Sequence, residues 1–204
     1  MLESLSTNKL CLSLEGWIIQ SGERCDIEVN QVEDDTAIEF STKSLKKVSV
    51  YEKKAIQLKQ SNYQIIGEVV FRDKQVIVID VGFFIFQNNT NINLKKGDWC
   101  TGEVCLGFDP FPIHQYINPD ETIPNIYYDM KIDRILLDET PFIQEPLCAE
   151  LGLTQSWVTR DRTREKFTEI VRTDAKRRHP FSEFIVECTL LKHSVFEPWT
   201  GSIE

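Results

Sequence analysis

The chain has 204 residues, 41% of them hydrophobic and 27% charged, with a formal net charge of −9 at pH 7. A chain of this length buries about 70% of its extended-chain surface on folding, so it can hold a core without disulfides or a metal. No segment approaches the ~20 uninterrupted apolar residues of a membrane-spanning helix, and the acidic balance disfavours nucleic acid and anionic membranes while favouring a basic partner.

The opening Met1-Leu2-Glu3-Ser4 has no basic region ahead of an apolar stretch, which points to a cytoplasmic protein. Leu10, Leu12 and Leu14 alternate with Cys11, Ser13 and Glu15, and Cys25, Ile27 and Val29 alternate with Asp26, Glu28 and Asn30. Joined by the turn-like Gln20-Ser21-Gly22-Glu23, they predict a first hairpin. Thr36 to Phe40 and Ser49 to Leu58 read as further strands, although Tyr51 to Gln60 also fits a short helix.

The strongest signal runs from Tyr63 to Phe108. Two runs, Tyr63 to Phe71 and Gln75 to Gln87, flank the turn Arg72-Asp73-Lys74, and a third follows from Gly97 to Phe108. From Val76 to Phe86 both alternating faces are apolar, so this segment must be covered on both sides. Gly67, Gly82 and Gly102 fall where a curved sheet needs bends or close backbone approach.

Asp80 interrupts the apolar run. A carboxylate there serves either as an acid/base or cation contact, or as a cap for backbone N–H groups at a strand corner beside Gly82, and the corner is the simpler reading. Phe108, Asp109, Phe111 and Tyr116 sit in or beside a proline-rich stretch ending at Pro124. If that loop is exposed, these residues and Asp80 make the best candidate binding surface.

From Ile126 the alternation returns, with Ile126, Tyr128, Met130 and Ile132 opposite Tyr127, Asp129, Lys131 and Asp133. Beyond Pro141, Arg162 to Lys176 places Phe167, Ile170, Val171 and Ala175 at helical spacing, which predicts one C-terminal amphipathic helix. Phe181 to Leu191 reads as a last strand. Between Arg160 and His179 eight basic residues face four acidic ones, and Arg160, Arg164, Arg172, Arg177 and Arg178 form a candidate basic patch. The simplest account of that patch is a solvated helix face with a cationic C-terminus.

No catalytic or metal motif emerges. The six cysteines, Cys11, Cys25, Cys100, Cys105, Cys148 and Cys188, and the three histidines, His114, His179 and His193, lack zinc spacing, and there is no nucleophile elbow or glycine-rich phosphate loop. The cysteines are expected to be free buried thiols, and no cofactor or metal is expected.

The expectation is therefore a mainly β (α+β) single domain over 1–204. It would comprise an N-terminal β segment over 1–60, a barrel-like core over 61–140, and a helix plus final strand over 141–204 packed on that core. The residues Gly67-Glu68-Val69-Val70, Ile79-Asp80-Val81-Gly82-Phe83 and Gly97-Asp98 through Val104 resemble the middle of the small five-stranded oligonucleotide/oligosaccharide-binding (OB) barrels. That resemblance covers about a quarter of the chain and implies a curved antiparallel sheet or OB-like small barrel with extra edge strands.

For function the leading expectation is a non-enzymatic, acidic module that binds a protein partner, a basic one favoured by its charge, by analogy with small toxin-neutralising immunity proteins. The alternative is an OB-like barrel that binds single-stranded nucleic acid by stacking on Phe83, Phe84, Phe86 and Trp99, with Lys46–Lys54 and Arg160–Arg178 as phosphate contacts. A second alternative is an acid/base enzyme centred on Asp80.

Overall fold

The fold is taken from a computed structural model, which describes residues 9–42, 44–88, 92–109, 124–146, 156–179 and 181–193. Its elements are β1 (Lys9–Glu15), α1 (Gly16–Gln20), β2 (Val32–Ser41), β3 (Lys46–Lys47), β4 (Lys54–Lys59), β5 (Asn62–Arg72), β6 (Val76–Asp80), β7 (Phe84–Asn88) and β8 (Trp99–Phe108). Then come β9 (Tyr127–Asp138), β10 (Phe142–Pro146), β11 (Ser156–Arg160), β12 (Phe167–Ile170), a 3-10 turn at Ala175–Arg177 and β13 (Glu183–His193). The protein is mainly β, with a closed eight-stranded barrel, extra strands outside it and, among the described residues, one short α-helix.

The barrel closes through pairings that join distant parts of the chain. Around the ring, β1 pairs β13, β13 pairs β9, β9 pairs β2, β2 pairs β7, β7 pairs β6, β6 pairs β5, β5 pairs β8, and β8 returns to β1. Two of these joints are single parallel bridges, Ser13↔Gly107 and Glu39↔Phe86. A further antiparallel pairing of Ile38–Ser41 with Phe108–Cys105 runs across the ring. It divides the barrel into two five-membered loops of strands that share β2 and β8. The large core holds Leu12, Leu14, Phe40, Tyr63, Ile79 and Phe184, and a smaller one gathers Ala37, Phe71, Val76, Val78, Phe86, Ile126 and Tyr127.

Between Tyr63 and Phe108 the apolar pattern and the structure agree on what is buried. Val76 to Ile79 are wholly inaccessible to solvent, on both faces of β6. The run does not continue as one strand, however: it reverses at Val81-Gly82-Phe83, so that Asp80 faces Phe84 across a tight hairpin. Gly82 has φ +104°, which only glycine adopts without strain. Gly67 answers a different need. A Cβ there would lie 2.7 Å from the Asp80 carbonyl oxygen and 2.7 Å from side-chain carbons of Ile79 and Val81.

Two predicted elements differ. The N-terminal hairpin is absent: β1 pairs β13 and β8, while residues 25–30 contribute one isolated bridge, Glu28↔Arg172. The helix expected over Arg162 to Lys176 is also absent, and the α-helix lies at Gly16–Gln20 instead. Phe167 to Ile170 forms β12 on the edge of β9, in register with Asp138 to Ile135. The helical spacing misled because Val171 is 74% exposed while Ala175 is fully buried, so the four apolar residues share no face. Asp174, at φ 44°, breaks the backbone before the 3-10 turn.

Candidate functional site

One register row crosses the seam of the barrel: Ser13 on β1, Gly107 on β8, Glu39 on β2 and Phe86 on β7. Ile38 and Phe40 point into the core, so the alternation of β2 turns Glu39 to the opposite face. Gly107 leaves the floor between Ser13 and Glu39 open, because a Cβ there would sit 2.9 Å from Ser13 Oγ and 3.2 Å from the Ser13 carbonyl oxygen. At the end of β1, Glu15 meets α1, whose first residue donates from Gly16 N to the Ser182 carbonyl at 2.7 Å. That anchor sets Trp17 at the rim, with its indole N–H donating to Glu15.

These residues enclose a cavity of ≈ 190 Å³, walled also by Ser41, Cys105, Phe108 and the β7 amides Gln87 and Asn88. Its chemistry is one-sided. Burial pushes the Glu39 carboxyl above the usual glutamate range, and the charge of Glu15 adds to the shift. Among the described residues no cation forms an ion pair with Glu15 or Glu39. Gln87 Oε1 and Asn88 Oδ1 are buried without a donor, a state that costs about 1–3 kcal/mol per group. Arg24 stacks over the wall residue Phe108, 5.0 Å from the ring centroid, but its guanidinium is already held by Glu33 at 2.7 Å.

Ser41 and Cys105 also line a second, larger groove of ≈ 840 Å³ with Thr42, Ser44, Lys46, Asn62, Gln64 and Thr101. A polar trough thus follows β2 and β8 along the outside of the barrel. A third hollow of ≈ 450 Å³ lies beside Phe142, Arg160, Arg177, Arg178, His179 and Phe181. Phe142 and Phe181 are 43% and 67% exposed there.

The residues singled out from sequence scatter. Asp80 is the hairpin's corner device: Oδ1 accepts from Gly82 N at 2.9 Å and Oδ2 pairs with Lys53 at 2.7 Å. A carboxylate committed to both contacts leaves the acid/base reading without a free group. Phe108 and Asp109 are buried, 2% and 8% exposed, which removes them as an exposed binding loop, although Phe108 does wall the cavity. Phe111 and Tyr116 lie outside the described residues. Phe86 is wholly buried and cannot stack on a base, while Trp99 packs edge-on against Tyr51 at 5.4 Å.

The basic patch divides. Arg160 is only 8% exposed and donates to the carbonyls of Asp138, Thr140 and Phe181 at 3.1, 3.0 and 2.9 Å. Its guanidinium also lies 4.5 Å from the Phe142 ring centroid and within 3.4 Å of the Asp138 carboxylate. It is a structural cation and not a surface one. Arg177 and Arg178 border the same hollow, whereas Arg164 and Arg172 do not, and Arg172 lies 3.7 Å from Asp174. The five described cysteines, Cys11, Cys25, Cys100, Cys105 and Cys188, are free thiols, and Cys25 is exposed, against the expectation of burial.

Sequence reasoning missed Glu15, Trp17, Glu39, Gln87 and Asn88. Alternation alone puts Glu15 and Glu39 on outer faces, but their convergence depends on β1, β8 and β2 becoming neighbours, and no local pattern carries that information. Comparison with known proteins finds no matching family model, no similar curated protein and no similar solved structure.

Proposed function

We propose that the protein is a non-enzymatic binding module that recognises a protein partner through a basic side chain received by the Glu15–Glu39 cavity. The observation that carries this reading is a pair of carboxylates sharing one cavity with no cation of the described chain to neutralise them. Two like charges held together cost free energy in the isolated protein, and a cationic group from outside offsets that cost on binding. The net charge of −9 favours encounter with a basic protein over a wider range.

The test is affinity capture from the source cells by the wild-type chain and by a Glu15→Gln/Glu39→Gln variant side by side. A basic protein retained by the wild type and lost by the variant supports the reading. A partner held equally by both, or none held by either, overturns it.

A second reading, single-stranded nucleic acid on an OB-like barrel, draws on the hollow where exposed Phe142 and Phe181 flank Arg177, Arg178 and His179. Aromatic faces beside cations are what stacked bases and phosphates need. It predicts oligo-dT binding that weakens steeply with salt and is lost in Arg177→Ala/Arg178→Ala. No binding at low salt would remove it.

A further inference from the structure

We propose that the surface running from Arg177 through Phe181 to Glu15 is a self-association face, on which a second copy of this chain docks about a twofold axis with Phe181 at its centre. The inference goes beyond both preceding readings. It shares Glu15 with the first and the aromatic hollow with the second, and it needs neither.

Backbone bonds fix Phe181 in place while its ring faces outward. Its N–H donates to His179 Nδ1 at 3.2 Å, and its carbonyl accepts from Arg160 Nη2 at 2.9 Å. The next residue is held as well: Ser182 N donates to the His179 carbonyl at 2.9 Å, and the Ser182 carbonyl accepts from Gly16 N at 2.7 Å. The Phe181 ring is nonetheless 67% exposed. Little ordering is left to be done there on binding, which is what a rigid aromatic anchor contributes to an interface. The apolar surface extends beyond it, with the His179 ring 5.3 Å from that of Phe181 and 6.4 Å from that of Phe142. Phe142 stands opposite Arg160 and Gln144 opposite Val158, so Phe142 and Val158, 43% and 60% exposed, share one face of the β10–β11 ribbon.

The charges on either side of this strip select the partner. Glu15 stands opposite Glu183 in the β1–β13 ladder, beside the end of the segment that carries Phe181. Arg177 closes the 3-10 turn ahead of that segment, and Gln20 Nε2 ties the turn to α1 by donating to the Ala175 carbonyl at 2.8 Å. Cation, aromatic rings and carboxylate therefore follow one another across a single surface. Among the described residues neither Arg177 nor Glu15 forms an ion pair. A surface in that order is complementary to its own copy turned by half a revolution: ring meets ring, and Arg177 of each copy meets Glu15 of the other. A basic protein answers Glu15 alone and nucleic acid answers Arg177 alone, whereas a second copy answers both. Two chains of net charge −9 repel at long range, so the contact depends on its apolar centre and on these two pairings.

The test is sedimentation equilibrium of the full chain over a range of concentrations. The wild type is expected to form a dimer, and Phe181→Asp to weaken it by about tenfold or more. Glu15→Arg and Arg177→Glu are each expected to weaken it by about tenfold or more, because each sets like charges against one another at two places. All three residues are exposed, so the variants keep the fold, which far-UV circular dichroism checks. Combining Glu15→Arg with Arg177→Glu in one chain exchanges the charges and is expected to restore most of the association. Mixing the two single variants in equal amounts is expected to give a heterodimer.

A wild type that sediments as a monomer at every concentration overturns the inference. A dimer indifferent to Phe181→Asp overturns it too, because another face then holds the copies together. Failure of the charge exchange to restore a dimer, in a chain that has kept its fold, refutes the twofold pairing of Arg177 with Glu15. None of these results decides the two readings above, which the capture and oligo-dT experiments test with their own variants.

Discussion

The strands between Tyr63 and Asn88 and the segment between Arg160 and Arg178 hold the barrel together with opposite materials. The first uses apolar surface: Val76 to Ile79, Ile65 and Val69 are buried without needing particular partners, because the hydrophobic effect is non-directional. The second uses directed polar contacts. Arg160 reaches three carbonyls and a carboxylate, and Asp26 Oδ1 accepts from Thr173 Oγ1 at 2.7 Å and Ala175 N at 2.8 Å to cap the 3-10 turn. Apolar regions are sensitive to volume, polar ones to the loss of a single partner, and variants of each kind separate the two.

The largest effect is expected in the polar segment. Arg160→Met removes the more distant of two cations beside the Asp138 carboxylate, whose side chain is 3% exposed and keeps Arg162 and the Thr140 N–H, and it deprives the carbonyls of Asp138, Thr140 and Phe181 of their donor. Leaving those buried carbonyls without a donor costs about 1–3 kcal/mol each at most, so a total of about 3 kcal/mol is expected, and Arg160→Lys, which keeps the charge and one donor, is expected to recover part of it. Urea unfolding of the two variants measures both, and a loss near zero in Arg160→Met would place Arg160 among ordinary surface cations.

In the apolar region Gly67→Ala is expected to cost about 1–3 kcal/mol by overpacking against β6. A neutral result in the same unfolding assay would mean that β5 and β6 separate easily there. Tyr63→Phe sharpens the comparison from inside the core. The Tyr63 hydroxyl accepts from Cys11 N at 2.8 Å in a wholly buried position, so removing it orphans a backbone donor, for about 1–3 kcal/mol. Thermal unfolding with an unchanged midpoint would show that this bond contributes nothing.

The smallest effect is pH-dependent. Burial pushes the Asp26 carboxyl up, but hydrogen bonds from Thr173 and Ala175 and the charges of Arg172 and Lys176 outweigh it, leaving the group below the usual range. A carboxyl lowered in the folded state adds stability above its unfolded pKa, and that stability is lost as pH falls through the folded value. Asp26→Asn is therefore expected to cost at most about 1 kcal/mol at pH 7, because solvent screens this group, and nothing in acid below that value. A cost independent of pH would show that the turn depends on shape and not on charge.

The same contrast explains what the sequence made legible. Double-sided apolarity from Val76 to Phe86 and the glycines at 67 and 82 are local signals, and they located the core, the tight approach and the bend. Asp80 followed Gly82 as a corner cap for the same reason. The helix over Arg162 to Lys176 failed because its charges find partners on β9 and β13, far away in sequence, and β9 offers an edge for Phe167 to Ile170. The cavity was invisible because the five lining residues that were missed come from β1, α1, β2 and β7, which become neighbours only when the barrel closes.

The central claim is that Glu39 shares its cavity with Glu15 and forms no ion pair with a cation among the described residues. NMR titration of the Glu39 carboxyl carbon tests this directly in the wild type and in Glu15→Gln. Glu39 is expected to titrate above the ordinary glutamate value, chiefly through burial, and to move down when the charge of Glu15 is removed. Titration at or below the ordinary value, unmoved by Glu15→Gln, would mean that a cation or open water already serves Glu39 and would contradict the account.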